Sequence, residues 1–155
     1  MTSFTIRPTT AADIPEIVRH RLGMFSDMGS GDAVSLAPML KKFEQYLRDA
    51  VPQGAYCGWF AVAPDGRIAG GAAVAIISWP PGVWNPENHR AYILNMYVDP
   101  EFRRQGVARR LTVTCVDWCR AQGFPSVTLH ASKFGRELYE SLGFEQTNEM
   151  RLKLK

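Results

Sequence analysis

Residues 95–111 read "NMYVDPEFRRQGVARRL", and the organisation of the chain turns on this stretch. An extended apolar run ends at Val98, and two arginines, Arg103 and Arg104, arrive just ahead of Gly106 and Ala108. From there apolar residues recur at Val107, Leu111, Cys115 and Trp118, spaced four, four and three apart. That spacing predicts a helix over about 103–122 with one buried face, stopped by Gly123 in the left-handed position that follows a helix. A strand therefore gives way to a helix where cations and small residues gather. A helix start leaves backbone N–H groups unpaired and carries partial positive charge. Gly106 removes a Cβ, Ala108 keeps the first turn small, and Arg103, Arg104 and Arg109 add positive charge, so the stretch predicts a pyrophosphate cradle. The plain alternative is a set of solvated arginines around a turn glycine. Two rival cradles are excluded by inspection: the chain holds no G-x-x-x-x-G-K-[ST], and no G-x-G-x-x-G follows a strand.

Working outward from this junction gives the rest of the order. "SFTIRP" is a first strand ending at Pro8, and Ile14, Ile17, Val18, Leu22 and Phe25 mark a first helix that the glycines of "SDMGSGD" end. A second amphipathic helix runs from about Val34 to Ala50. Pro64-Asp65-Gly66 sits between two apolar stretches and marks a hairpin, and "AYILNMYV" is a strong strand. After the helix come a strand "SVTLHAS", a short helix in "FGRELYESLGF" and a last strand in "EMRLKLK". The expected architecture is α+β, a mixed α/β sheet packed by helices, in one domain over residues 1–155.

Composition narrows the class without choosing the ligand. The chain has 155 residues, a formal charge of +3 and 46% hydrophobic residues, ordinary for a soluble globular domain with a real core. Mild basicity suits an anionic small ligand or nucleic acid. The modest charge and the lack of a second basic face count against nucleic acid. Three cysteines cannot all pair, the N-terminus lacks the pattern of a secretory leader, and the longest apolar run is too short to cross a bilayer. The expectation is a cytoplasmic protein with no membrane contact. Cys115 and Cys119 share a helix face, but His20, His89 and His130 are scattered, so two core cysteines and no metal are expected.

The motif Arg103-Arg104-Gln105-Gly106-Val107-Ala108 resembles the acetyl-coenzyme-A signature of the Gcn5-related N-acetyltransferase (GNAT) superfamily. A second block, "VTLHASKFGRELYESLGF", is similar to the family's strand–helix unit with Tyr before Leu-Gly-Phe, and the element order matches along essentially the whole chain. The resemblance implies a GNAT fold: a mostly antiparallel twisted sheet of about six to seven strands flanked by about four helices. It implies an acetyl-CoA-dependent N-acetyltransferase acting by direct attack of a primary amine, from a small molecule or a peptide, on the thioester. The same fold could instead serve as a catalytically silent acyl-CoA-binding module. Backbone groups of Met96, Tyr97 and Val98 would pair with the pantetheine arm, and residues 104–109 would hold the pyrophosphate. Tyr139 falls at the family's general-acid position, although its pattern also suits a core tyrosine. Ser132 stands where many members carry a cofactor-touching asparagine. Lys133 and Arg136 are placed either for a CoA phosphate or for solvent. Members of the family often dimerise, so a homodimer is compatible with the resemblance.

No general base is unambiguous. His130 shares strand parity with Ser132, and histidine changes charge near neutral pH, yet a structural role fits equally. Asn95 could orient a substrate or a water. The acceptor site is expected from "HRLGMFSDMGSGD" and "WPPGVWNPENHR", which offer Arg19, Arg21, Met24, Phe25, Asp27, Trp79 and Trp84.

Overall fold

The computed structural model describes residues 3–155. Strand β1 (Thr5–Pro8) leads through a 3-10 turn into helix α1 (Ile14–Asp27), and helix α2 (Ala37–Ala50) follows. Strands β2 (Tyr56–Val62), β3 (Ile68–Ser78) and β4 (His89–Val98) come next, then helix α3 (Val107–Ala121), strand β5 (Val127–Thr128) and helix α4 (Arg136–Ser141). The five strands form one sheet in chain order, antiparallel throughout except for the parallel pair β4–β5. The expected mixed α+β sheet is therefore present, with fewer strands than expected.

The two faces of the sheet are covered by different helices. On one face Val107, Leu111 and Cys115 of α3 pack against Ala72, Val74, Ala91 and Ile93. On the other, Ile17 of α1 and Phe43 and Leu47 of α2 pack against Phe60, Ala73 and Leu94. Small residues in β3 make room for this layering. A Cβ on Gly71 would sit 2.8 Å from the Phe60 ring and 3.0 Å from His20 Nδ1, so glycine there admits the buried imidazole.

The last expected strand is absent: residues 145–155 carry no regular structure, and Met150, Leu152 and Leu154 are exposed. Alternation of apolar residues is only half of what a strand requires; a paired edge is the other half. Strand β5 is also shorter than its sequence reads, because its ladder with β4 holds only at Ala91↔Val127 and Tyr92↔Thr128.

Candidate active site

The ladder between β3 and β4 slips near Asn95: Gly71 faces Tyr97 whereas Ala73 faces Leu94, so β4 carries one extra residue. This is a β-bulge, and a bulge bends and twists its strand. Asn95 takes φ 56°, a left-handed conformation that asparagine tolerates better than most residues. Its buried amide Nδ2 donates to the Ile17 carbonyl of α1 at 3.1 Å, locking the bulge to the helix. Past Tyr92, β4 has no β5 partner, so one edge of Ile93–Val98 is left without a neighbouring strand. The bulge also resets the strand's parity. Leu94 belongs to the α1 side, Met96 and Val98 pack into the α3 side, and the Tyr97 ring turns back against Gly23 of α1.

At the end of this open edge lies the junction that the sequence singled out. The α3 helix begins at Val107 rather than near Arg103, because Arg104 (φ 60°) and Gly106 (φ 80°) are both left-handed and cannot continue a helix. Among the described residues no carbonyl accepts from the backbone amides of residues 104 to 109, the first ladder bond being Arg110 N–H to the Gly106 carbonyl. The loop thus exposes more amides than a bare helix start would. A Cβ on Gly106 would meet no protein atom within 4 Å, so the glycine is required by its φ and leaves the space in front of the amides clear. A pocket of about 200 Å³ opens here, walled by Val98, Phe102, Arg103, Arg104, Gly106–Arg109 and Leu138.

The side chains around this pocket have settled partners. Arg103 donates from Nε to the Val98 carbonyl at 2.9 Å and pairs with Asp27, which ties the loop to the end of α1. Arg109 donates to Ser141 Oγ at 2.7 Å and so fixes α4 against α3, while the Gln105 amide donates to the Glu101 carbonyl. Arg104 is exposed. Ser132 Oγ accepts from the Gly135 N–H at 3.3 Å, closing the turn that leads into α4. Tyr139 is 9% exposed, its ring lies against Gly135 and Phe144, and burial beside Cys115 pushes its phenol up to about 12. The proton therefore stays on Tyr139 throughout the neutral range. Its neighbour Leu138, not Tyr139, lines the pocket wall.

The α1 side of the bulge holds a different population. Tyr92 bonds through its hydroxyl to His130 Nδ1, and His130 Nε2 lies 3.3 Å from Glu149 Oε1, giving a Tyr–His–Glu chain where the β4–β5 ladder ends. Arg21 lies with its guanidinium 4.2 Å from the Phe43 ring centre and 5.1 Å from that of Phe25. Nearby, Arg19 grips Asp99 with two bonds of 2.9 and 2.7 Å and Glu16 with two more, holding α1 to the end of β4. Those bonds hold both carboxylates below their usual range. Burial pushes the adjoining His20 down to about 4, leaving it neutral. Glu16, His20 and Asp99 offer ligand atoms within 4.8 Å of one another, but the Arg19 guanidinium already supplies the cation to both carboxylates.

The expected acceptor residues are only partly brought together. Arg21 and Phe25 meet, whereas Arg19 and Asp27 are engaged in ion pairs. Trp79 stacks under Arg90 at 3.8 Å, and Trp84 is 90% exposed. Tyr92, Tyr46 and Glu149 were not singled out by sequence. The one available signal was Asn95, a polar residue interrupting an otherwise apolar strand.

The profile of the Acetyltransferase (GNAT) family matches residues 27–144. The fold is similar to that of a GCN5-related N-acetyltransferase from Ralstonia eutropha JMP134, with a TM-score of 0.90 and 33% identity over 98% of this chain and 99% of that one. It is also similar to a predicted acetyltransferase of Clostridium acetobutylicum solved with acetyl-CoA, with a TM-score of 0.87 and 27% identity over 99% of this chain and 96% of that one. Among curated proteins, human N-acetyltransferase 8B is 36% identical over 96 residues, which is 60% of this chain and 40% of that protein. The chain spans less than two thirds of the length of the curated relatives it matches. The chain belongs to the GNAT acetyltransferase family. Among the described residues no helix is long and apolar enough to cross a membrane.

Proposed function

We propose that this protein is an N-acetyltransferase that moves an acetyl group from acetyl-CoA to a primary amine of a small molecule or peptide. The observation that carries this reading is the run of acceptor-free amides at residues 104–109, set at the end of a strand with an open edge. The residues fit the donor. An anion needs several N–H groups converging on clear space, and two left-handed residues with an unobstructed glycine provide it. Backbone groups of Met96, Tyr97 and Val98 hold the pantetheine arm as an added strand would, and the Arg104–Arg109 amides hold its pyrophosphate. Gln105, Val107 and Ala108 act here through their backbones, and Arg103 fixes the loop. Bound there, acetyl-CoA supplies an activated acyl thioester. A fixed donor beside a bound amine gains most of its rate from proximity.

Two proton groups serve the reaction in this reading. Tyr139 carries a proton held by burial and donates it to the departing sulfur. The Tyr92–His130–Glu149 chain, on the acceptor side of the bulge, receives the proton that the amine must shed. Ser132 supports the site by closing the turn that leads into α4, which carries Tyr139.

A thermal-shift titration followed by thiol-release assays tests the reading. At 100 times its Kd, acetyl-CoA should stabilise the fold by about 2.7 kcal/mol, and a panel of primary amines should release free CoA. No shift would overturn the reading. A shift without turnover on any amine would make the protein an acyl-CoA-binding module.

A further inference from the structure

Six of the thirteen arginines of this chain are paired with acids. Arg7 pairs with Asp13, Arg19 with Glu16 and Asp99, Arg48 with Glu44, Arg67 with Asp65 and Glu101, Arg103 with Asp27, and Arg120 with Asp117. Of the others, Arg21 and Arg90 each have a buried Nε with no acceptor and an aromatic ring under the guanidinium, Trp79 in the case of Arg90, and only Arg21 reaches the bulge of β4. It lies on the inner side of α1, partly buried, stacked on Phe43 and near Phe25. Among the described residues its one polar bond is a long one, from Nη1 to Asn95 Oδ1 at 3.4 Å, and its Nε is sealed from solvent with no acceptor at all. Burial lowers its pKa, and the ionisable groups that bear on it are the phenols of Tyr46, Tyr56 and Tyr92, with no carboxylate among them.

A guanidinium offers five donors and keeps its charge, so withdrawing it from water without an acid partner is costly. Phe43 returns a little through its ring face. Had the position served packing alone, a leucine or methionine would have filled it without that cost. What the arrangement does supply is a pre-positioned planar fork with unused donors in a weakly screened setting, where its attraction for an anion is strongest. The place matters as much as the charge. Through Asn95 the guanidinium touches the bulge, and Tyr92, three residues earlier on β4, begins the proton chain. An anion on Arg21 therefore holds its molecule between the open edge of β4 and the group that takes the amine's proton. Arg21 is itself only partly buried, and Tyr46 near it is 40% exposed.

We infer that Arg21 anchors an anionic group on the acceptor, so that the substrate is a small primary amine also bearing a carboxylate or a phosphate. The inference rests on the acetyl-transfer reading and narrows it. Polycationic amines are disfavoured, since a second ammonium would meet a like charge in a poorly solvated setting.

The test uses paired acceptors that differ only in the anion: β-alanine against β-alaninamide, and O-phosphoethanolamine against ethanolamine, with spermidine as the cationic extreme. Each is assayed by CoA release and by calorimetric binding to the CoA-loaded protein. The anionic member of at least one pair should have a kcat/KM on the order of 30-fold above its neutral partner, the scale of one charge-assisted pair. Arg21→Gln should abolish that preference by raising KM, leave ethanolamine turnover and acetyl-CoA binding within about threefold, and Arg21→Lys should restore it only in part because the planar fork is lost. Which pair shows the preference tells carboxylate from phosphate. Neutral partners doing as well as anionic ones, in both turnover and binding, would overturn the inference. So would an Arg21→Gln protein that loses all acceptors and thermal stability alike. If acetyl transfer itself fails on every amine, Arg21-dependent binding of the anionic members still upholds the anchor, and its absence still refutes it.

Discussion

Strand β4 has two sides that are built from different atoms. Toward α3, the open edge and the Arg104–Arg109 loop present peptide N–H groups, and the nearby side chains are tied to other parts of the protein. Toward α1, the bulge presents side chains: Arg21, Tyr92, Asn95 and His130. Peptide groups are the same in every protein, so a site made from them recognises what all ligands of one class share, in the proposed function a diphosphate on a polyamide arm. Side chains differ from protein to protein, so in the proposed function the other side is where one acceptor is distinguished from the next. A constant donor and a variable acceptor can be served from one strand because the bulge at Asn95 lets its two sides be organised independently.

Three experiments break or sharpen this contrast. The largest effect is expected at Tyr139, the proton donor of the proposed reaction. Tyr139→Phe should lower kcat by about 100-fold or more while leaving the acetyl-CoA Kd within about twofold, since a proton donor acts in the reaction and not in binding. Unchanged turnover across pH would return Tyr139 to a core role. Next, Gly106→Val should weaken acetyl-CoA by about 30-fold in calorimetry, because a branched side chain resists the left-handed φ of 80° and shadows the amides. The fold should survive, as no protein atom lies within 4 Å of the new Cβ. Equal loss of donor and acceptor binding would show the two sides to be coupled.

The smallest effect concerns the side-chain face and is read as stability against pH. His20 takes up its proton at about 4 when folded, below its ordinary 6.5. Between those values the unfolded chain binds the proton and the folded one does not. Stability is therefore complete above pH 6.5 and falls as pH drops toward 4, by at most about 3 kcal/mol. His20→Gln should flatten urea midpoints across that window. Further loss below it, as Glu16 and Asp99 protonate within the Arg19 network, should remain. An unchanged slope would mean that His20 is not kept neutral by burial.

Much of this could be seen in the chain before the fold was known. Helices α1, α2 and α3 and strands β1 to β4 follow from the spacing of apolar residues, and the cradle follows from a glycine among small and basic residues. The boundaries shifted where φ decided them: α3 starts at Val107 because Arg104 and Gly106 are left-handed, which apolar spacing does not reveal. "EMRLKLK" alternates like a strand but lacks an edge to join. Ser132 stands where the family often has asparagine, and only the structure shows its hydroxyl bonding its own helix start.

The sequence by itself determined the amide cradle, because it is made by a few consecutive residues whose conformations are set locally by glycine and by the strand-to-helix change. Only the tertiary structure decided the side-chain cluster across the bulge. Residues 21, 130 and 149 are far along the chain from Tyr92 and Asn95 of β4, and they meet through sheet register, one bulge and the packing of α1 on β4. Register and bulge position are relations between strands, and a relation between strands is not written in any one of them.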